Sequence, residues 1–340
     1  MDFKKRLKLA GGCAVASAFL GSFLFLFLSE SLRSLAFTSF IAAAVIFVVC
    51  LILIFVLEGK PSKVRIPVFA AVIVAGMIAL FSVTTYEIGV RMTFRPHFDE
   101  ECYDELSDME GKVEQISVDG ISGWRLFATD VPADKPRPVI LYFGGNGEDS
   151  SRKIDYLIKN NELSFLYSDY DFIYLDYPGY GLTEGSPGEE SLREFALKAY
   201  EIVSSLPTTD AVTVLSYSLG NGPAVYLASS DEVEIRELIL LAPYNSGYDL
   251  YNSVFNVFYG PMRLLVAYKM PVYQYASNVT CPVTIIASSD DEVIPIESSR
   301  ELFSAFTGAS TNFVNIEGVL HNDFWTEQTA LEEIEHCLEG

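Results

Sequence analysis

Two patterns of apolar positions divide the chain. Up to about residue 86 they come as unbroken stretches, Leu9 to Leu28, Leu35 to Leu57 and Ile66 to about Thr85, each without an internal charge. Each is close to the roughly 20 residues with which an α-helix crosses a hydrocarbon core. Runs such as Phe23 to Leu28 and Ala42 to Phe55 have no polar face, which argues against buried helices of a soluble protein, so three membrane-spanning helices are predicted. A cleaved signal peptide competes for the first stretch. Its apolar run is long for that role and two further spans follow, which favours an uncleaved anchor.

Beyond an acidic linker over residues 87–111 the pattern changes to short β-rich runs alternating with helical ones. Residues 112–118 and 121–128 read as a hairpin across Asp119-Gly120. Strands are predicted at 138–143, 171–176, 211–216, 236–241, 282–287 and 312–316. Several are continuously apolar, as strands covered on both faces must be. Helices are predicted near 150–160, 189–205, 219–229, 297–306 and 323–338. This alternation predicts one α/β domain over 112–340, with a doubly wound, mostly parallel sheet and antiparallel entry strands.

Charge separates the same two parts. The net charge of −22 is the balance of +5 over residues 1–86 and −27 over residues 87–340. That acidic excess excludes a nucleic-acid-binding role for the second part. Lys4, Lys5, Arg6 and Lys8 precede the first span, and Lys60, Lys63 and Arg65 lie between the second and third. By the positive-inside bias the amino terminus is then cytoplasmic and the domain extracytoplasmic. Cys102, Cys281 and Cys337 lack metal-ligand spacing and only three histidines exist, so no structural metal site is expected. One disulfide among the three cysteines stays open, with free thiols favoured.

The candidate chemistry lies where predicted strands end, the usual place for a site in such a sheet. Ser216-Tyr-Ser-Leu-Gly220 passes from a strand directly into a helix, the sequence of a tight turn that exposes Ser218 as a nucleophile. A serine hydroxyl needs a base, and His321 is the histidine in a loop after a predicted strand, whereas His97 lies in the linker and His336 at the end of a helix. The imidazole in turn needs an acid. Asp290, Asp291 and Glu292 follow the penultimate strand; Asp291 is favoured, because in its Asp-x-x-Ile-Pro spacing the Asp leaves the strand and the Pro opens the next helix. Phe143-Gly-Gly-Asn-Gly147 ends an earlier strand in a glycine-rich turn without the spacing of a phosphate-binding loop. Asp176-Tyr-Pro-Gly-Tyr-Gly181 ends another, and its Tyr177, with Tyr217 beside Ser218, is expected to line the substrate pocket.

Taken together and in this order, these motifs make residues 112–338 resemble the α/β-hydrolase superfamily, in particular its membrane-anchored serine-hydrolase branch with depalmitoylases and aminopeptidase-like members. The resemblance implies the α/β-hydrolase fold, Ser218 as nucleophile, Asp291 as orienting acid and His321 as base. It also implies an oxyanion hole from the backbone N–H groups of Asn146 and Leu219, and no cofactor. Gly144 stands where the family's loop carries histidine.

Residues 244–277 form an insertion rich in aromatics, expected either to cover the pocket as a lid or to close the core on that side. As a lid its apolar walls favour an acyl group, so a small-molecule or lipid-like ester or thioester reached beside the membrane is the expected substrate. A peptidase of the aminopeptidase-like branch and a non-catalytic membrane binding module are the alternatives.

Overall fold

The computed structural model describes residues 93–340, apart from 133, 255, 257 and 340, together with scattered residues between 60 and 92. The spans predicted at 9–28 and 35–57 lie outside the described residues, and that at 66–85 lies largely outside them. Among the described residues no helix is long and apolar enough to cross a membrane. The chain divides into two units, Met1–Met92 and Thr93–Gly340, and the second holds the sheet and the candidate site.

The first element of that unit is a helix, α1 (Glu100–Ser107), inside the segment read as a linker. Asp99 caps it by accepting the Cys102 N–H, and Glu100 and Glu101 face the positive end of its dipole. The strands come in the order β1 (Val113–Val118), β2 (Ile121–Leu126), β3 (Arg137–Phe143), β4 (Asp171–Leu175), β5 (Thr209–Tyr217), β6 (Glu237–Leu241), β7 (Val283–Ser288) and β8 (Thr311–Ile316). Between and after them lie α2 (Ser150–Lys159), α3 (Glu189–Ser204), α4 (Asn221–Ala228), α5 (Gly247–Val254), α6 (Val272–Ala276), α7 (Ile296–Ala305) and α8 (Gln328–Glu339).

The eight strands make one sheet in the order β1-β2-β4-β3-β5-β6-β7-β8. β1 and β2 form a hairpin whose two-residue turn, Asp119-Gly120, has positive φ at both positions, as the twist of the flanking strands requires. β2 runs antiparallel to β4, and every later pairing is parallel. Alternate residues of β3 enter opposite cores. Val139, Leu141 and Phe143 pack with Phe195 of α3, Leu227 of α4 and Leu302 of α7, whereas Ile140 and Tyr142 pack with Leu157 of α2 and Ile334 of α8. The sheet therefore lies between two helical layers, and its central strands read as unbroken apolar runs. Cys102, Cys281 and Cys337 are free thiols.

One buried charge cluster ties β2, β4 and β3 together at the end of the sheet where β3 and β4 begin. Asp171, fully buried at the start of β4, accepts hydrogen bonds from Arg125 Nε at 2.9 Å and from the Ala128 N–H at 2.8 Å, and pairs with Arg137 Nε at 3.5 Å. Asp171→Ala would leave two buried guanidinium groups without this carboxylate. It is expected to cost about 3–5 kcal/mol, read as a lowered urea midpoint.

The insertion at 244–277 contains two parts. Met270, Val272 and Ala276 are buried and complete the core beside α4 and α7, whereas the single 3-10 turn Gly260–Leu265 buries none of its residues and leaves Leu264 81% exposed.

Candidate active site

Ser218 sits at the carboxyl end of β5, where the chain turns through a 3-10 step, Ser218–Gly220, into α4. Its φ is +51°, a backbone conformation that a side-chain-bearing residue adopts at a cost. Two neighbours hold it there. A Cβ on Gly220 would stand 2.1 Å from the Phe143 carbonyl oxygen, so only glycine lets the elbow approach β3. Asn221 donates through Nδ2 to the carbonyls of Ser218 (2.8 Å) and Leu241 (2.9 Å) and accepts from Ser216 Oγ (2.8 Å), which accounts for a hydroxyl at position 216.

Two loops from the far side of the sheet meet this turn. His321, following β8, places Nε2 at 2.9 Å from Ser218 Oγ and Nδ1 at 2.8 Å from Asp291 Oδ2. Asp291, following β7, accepts the N–H groups of Val293 (2.8 Å) and Ile294 (2.7 Å) with its other oxygen, which fixes the carboxylate plane. Asp290 accepts the Gly318 N–H and Glu292 the His321 N–H. The latter bond holds Glu292 below the usual carboxylate range. The three adjacent acids thus act on one loop in different ways, two fixing it by its backbone while Asp291 reaches the imidazole ring.

Tyr217 and Tyr177 stand differently from the pocket-lining expectation. Tyr217 is 6% exposed, stacks on the His321 ring at 5.3 Å and donates its hydroxyl to the His321 carbonyl, so it braces the imidazole. Tyr177 is fully buried between Tyr180 and Phe195, and its hydroxyl donates to the Gly144 carbonyl at 2.8 Å. It belongs to the core and supports the glycine loop; the spacing of the Asp176 motif carries no sign of which way its ring turns.

Within that loop the backbone donors are already sorted. The Gly145 N–H is taken by Glu148 Oε2 at 2.7 Å. Among the described residues the N–H groups of Asn146 and Leu219 donate to no protein acceptor, so both are available to an incoming oxygen. The Asn146 side chain accepts from the Arg95 N–H (2.8 Å) and the Tyr180 hydroxyl (3.0 Å), an anchor that sequence reasoning did not reveal. At Gly144 a Cβ would lie 2.2 Å from the Tyr174 hydroxyl, which leaves no room for the family's histidine.

Asp176 lies in the same neighbourhood with a different role. Burial raises its carboxyl to about pKa 7, although the N–H and hydroxyl of Ser150 both donate to it. A Cβ on Gly181 would touch its oxygen at 2.1 Å, so the motif's final glycine makes space for this acid. His97 pairs with the buried Asp149 at 2.5 Å, apart from the Ser218 cluster, and His336 lies on α8. Among the described residues no group of three or more His, Cys, Asp or Glu is arranged to hold a metal ion.

An eight-stranded, mostly parallel sheet with a serine elbow after β5, an acid after β7 and a histidine after β8 defines the α/β-hydrolase class. No family model matches the chain. It is 26% identical over 186 residues to an uncharacterized protein of Mycobacterium tuberculosis, covering 55% of this chain and 63% of that protein. It is also 26% identical over 182 residues to the lysophosphatidylserine lipase ABHD12 of Danio rerio, covering 49% of this chain and 46% of the lipase. The matched segment thus spans about half the length of these curated relatives. Among solved structures it resembles the Pyrococcus furiosus esterase Pf2001, with a TM-score of 0.54 at 16% identity over 72% of this chain and 95% of that one. The chain has the α/β-hydrolase fold and is similar in sequence to proteins of that superfamily.

Proposed function

We propose that this protein is a membrane-anchored serine hydrolase that cleaves an ester or thioester of a lipid-like acyl group. The observation that carries the reading is the continuous hydrogen-bonded chain from Ser218 Oγ through His321 to Asp291. His321 Nε2 takes the serine proton as Oγ attacks the carbonyl carbon. Asp291 holds the imidazole with its proton on Nδ1 and balances the charge it gains. The N–H groups of Leu219 and Asn146 receive the oxyanion, His321 returns its proton to the leaving group, and water then releases the acyl group from Ser218 by the same steps in reverse. No cofactor enters these steps.

The anchor rests on the three charge-free apolar stretches before residue 86, and the orientation on the basic residues around them, with the amino terminus cytoplasmic and the hydrolase domain outside. Apolar residues of the 244–277 insertion and a site tethered beside a bilayer support an acyl substrate over a charged peptide.

A chain-length series of p-nitrophenyl acyl esters, assayed beside aminoacyl anilides, tests the substrate class. Ester turnover rising with acyl length is expected, and faster anilide turnover would transfer the reading to a peptidase. Protease added outside intact cells is expected to remove the domain; its full protection would overturn the orientation.

A further inference from the structure

The glycine loop is braced by an ion pair between a buried lysine and a partly exposed carboxylate, and the pair takes no part in the steps above. Glu148 Oε2 accepts the Gly145 N–H at 2.7 Å and the Tyr142 hydroxyl at 2.9 Å, while its Oε1 lies 3.5 Å from Lys153 Nζ. Lys153 is 5% exposed, although it lies on a surface helix, α2. Its ammonium stands 3.4 Å from the centroid of Trp325 and 5.1 Å from that of Tyr142. Trp325 follows His321 by four residues and meets the Tyr217 ring edge-on. The pair therefore joins the loop carrying Asn146 to the elements that hold the histidine.

Its electrostatic position matters more than its contacts. A carboxylate that captures the Gly145 N–H stands one residue from an amide assigned to the oxyanion. Alone, its charge would oppose the negative charge that develops there, at a separation of one residue. Neutralised by Lys153, the same carboxylate can fix the loop without that penalty.

We propose that Lys153 is a positioning residue: it cancels the charge of Glu148, so that Glu148 orders the Gly145–Asn146 backbone without repelling the oxyanion. This rests on Ser218 being the nucleophile. Burial lowers the Lys153 ammonium to about pKa 8 against the opposing pull of Glu148, so the balance is lost as pH rises through that value. The other groups facing the pair stay uncharged there: Tyr142 on β3, Tyr174 on β4 and Tyr217 on β5 are all raised by burial, with Glu148 contributing to each. Tyr177, also raised by burial, feels Glu148 too, while Asp149, beside Glu148 in the chain, and Asp176 act on Tyr174, and Asp291, Glu292 and Asp323 act on Tyr217.

The test uses the full chain and the rate at which a fluorophosphonate acylates Ser218, a reaction that needs the oxyanion donors and no knowledge of the substrate. Lys153→Met is expected to slow labelling by on the order of 10² at pH 7, with p-nitrophenyl ester kcat falling alike and KM nearly unchanged. Removing the anion as well, in Glu148→Gln with Lys153→Met, should recover about tenfold of that loss, which a merely structural ion pair would not do. Wild type should lose rate above about pH 8, and Lys153→Arg, which keeps its charge, should not. Lys153→Met labelling at the wild-type rate, a double variant no faster than the single one, or a pH 8 limb retained in Lys153→Arg would each overturn the proposal. Absence of Ser218 labelling in wild type would instead remove the reading on which it rests.

Discussion

Ser218→Ala is expected to lower p-nitrophenyl ester turnover by about 10⁶, as loss of a triad nucleophile does elsewhere, while leaving the protein folded. The hydroxyl is the atom of the elbow within hydrogen-bond reach of His321 Nε2, and its loss removes the group positioned to form the acyl intermediate. Nothing that holds the turn depends on it: Asn221 binds the Ser218 carbonyl, and Gly220 abuts β3. A thermal midpoint within a degree or two of wild type therefore accompanies the loss of turnover. A residual rate above about one hundredth of wild type would show that another nucleophile carries the reaction.

Asp291→Asn is expected to cost about 10⁴ in kcat, through the tautomer of His321. The asparagine can keep the bonds to the N–H groups of Val293 and Ile294 through its oxygen. Its amide then faces His321 Nδ1 as a donor, which forces the ring proton to Nε2 and leaves no lone pair for the serine proton. Asp290→Asn and Glu292→Gln retain acceptors for the Gly318 and His321 N–H groups, so each is expected to cost no more than about tenfold. This contrast among three consecutive acids is read from kcat on one ester. A Glu292→Gln loss as large as that of Asp291→Asn would contradict the division of roles.

The βα alternation was legible because the strands are apolar on both faces and bounded by turn residues, and β3 to β8 fall within a few residues of the predicted runs. Local spacing also singled out Ser218, Asp291 and His321, each following the carboxyl end of a strand, and the structure brings the three within hydrogen-bond reach. Asp99 with two following glutamates signals the start of α1, although the acidic run reads as a linker until Leu106 is seen buried. Side-chain direction was out of reach. Tyr177 and Tyr217 flank the site in sequence, yet one is turned into the core and the other lies along the imidazole, and both outcomes depend on neighbours from other strands. Lys153 carries no sequence signal at all: a lysine in a helix ordinarily meets water, and here Glu148 and Trp325, far apart in the chain, enclose it.

The central claim is that Ser218 is the nucleophile of a hydrolase, and a covalent adduct tests it without knowledge of the substrate. Incubation of the full chain with a fluorophosphonate, followed by mass spectrometry of its peptides, is predicted to place one adduct on Ser218 and none in Ser218→Ala. Equal labelling of the variant, or no adduct on a folded wild-type chain, would contradict it.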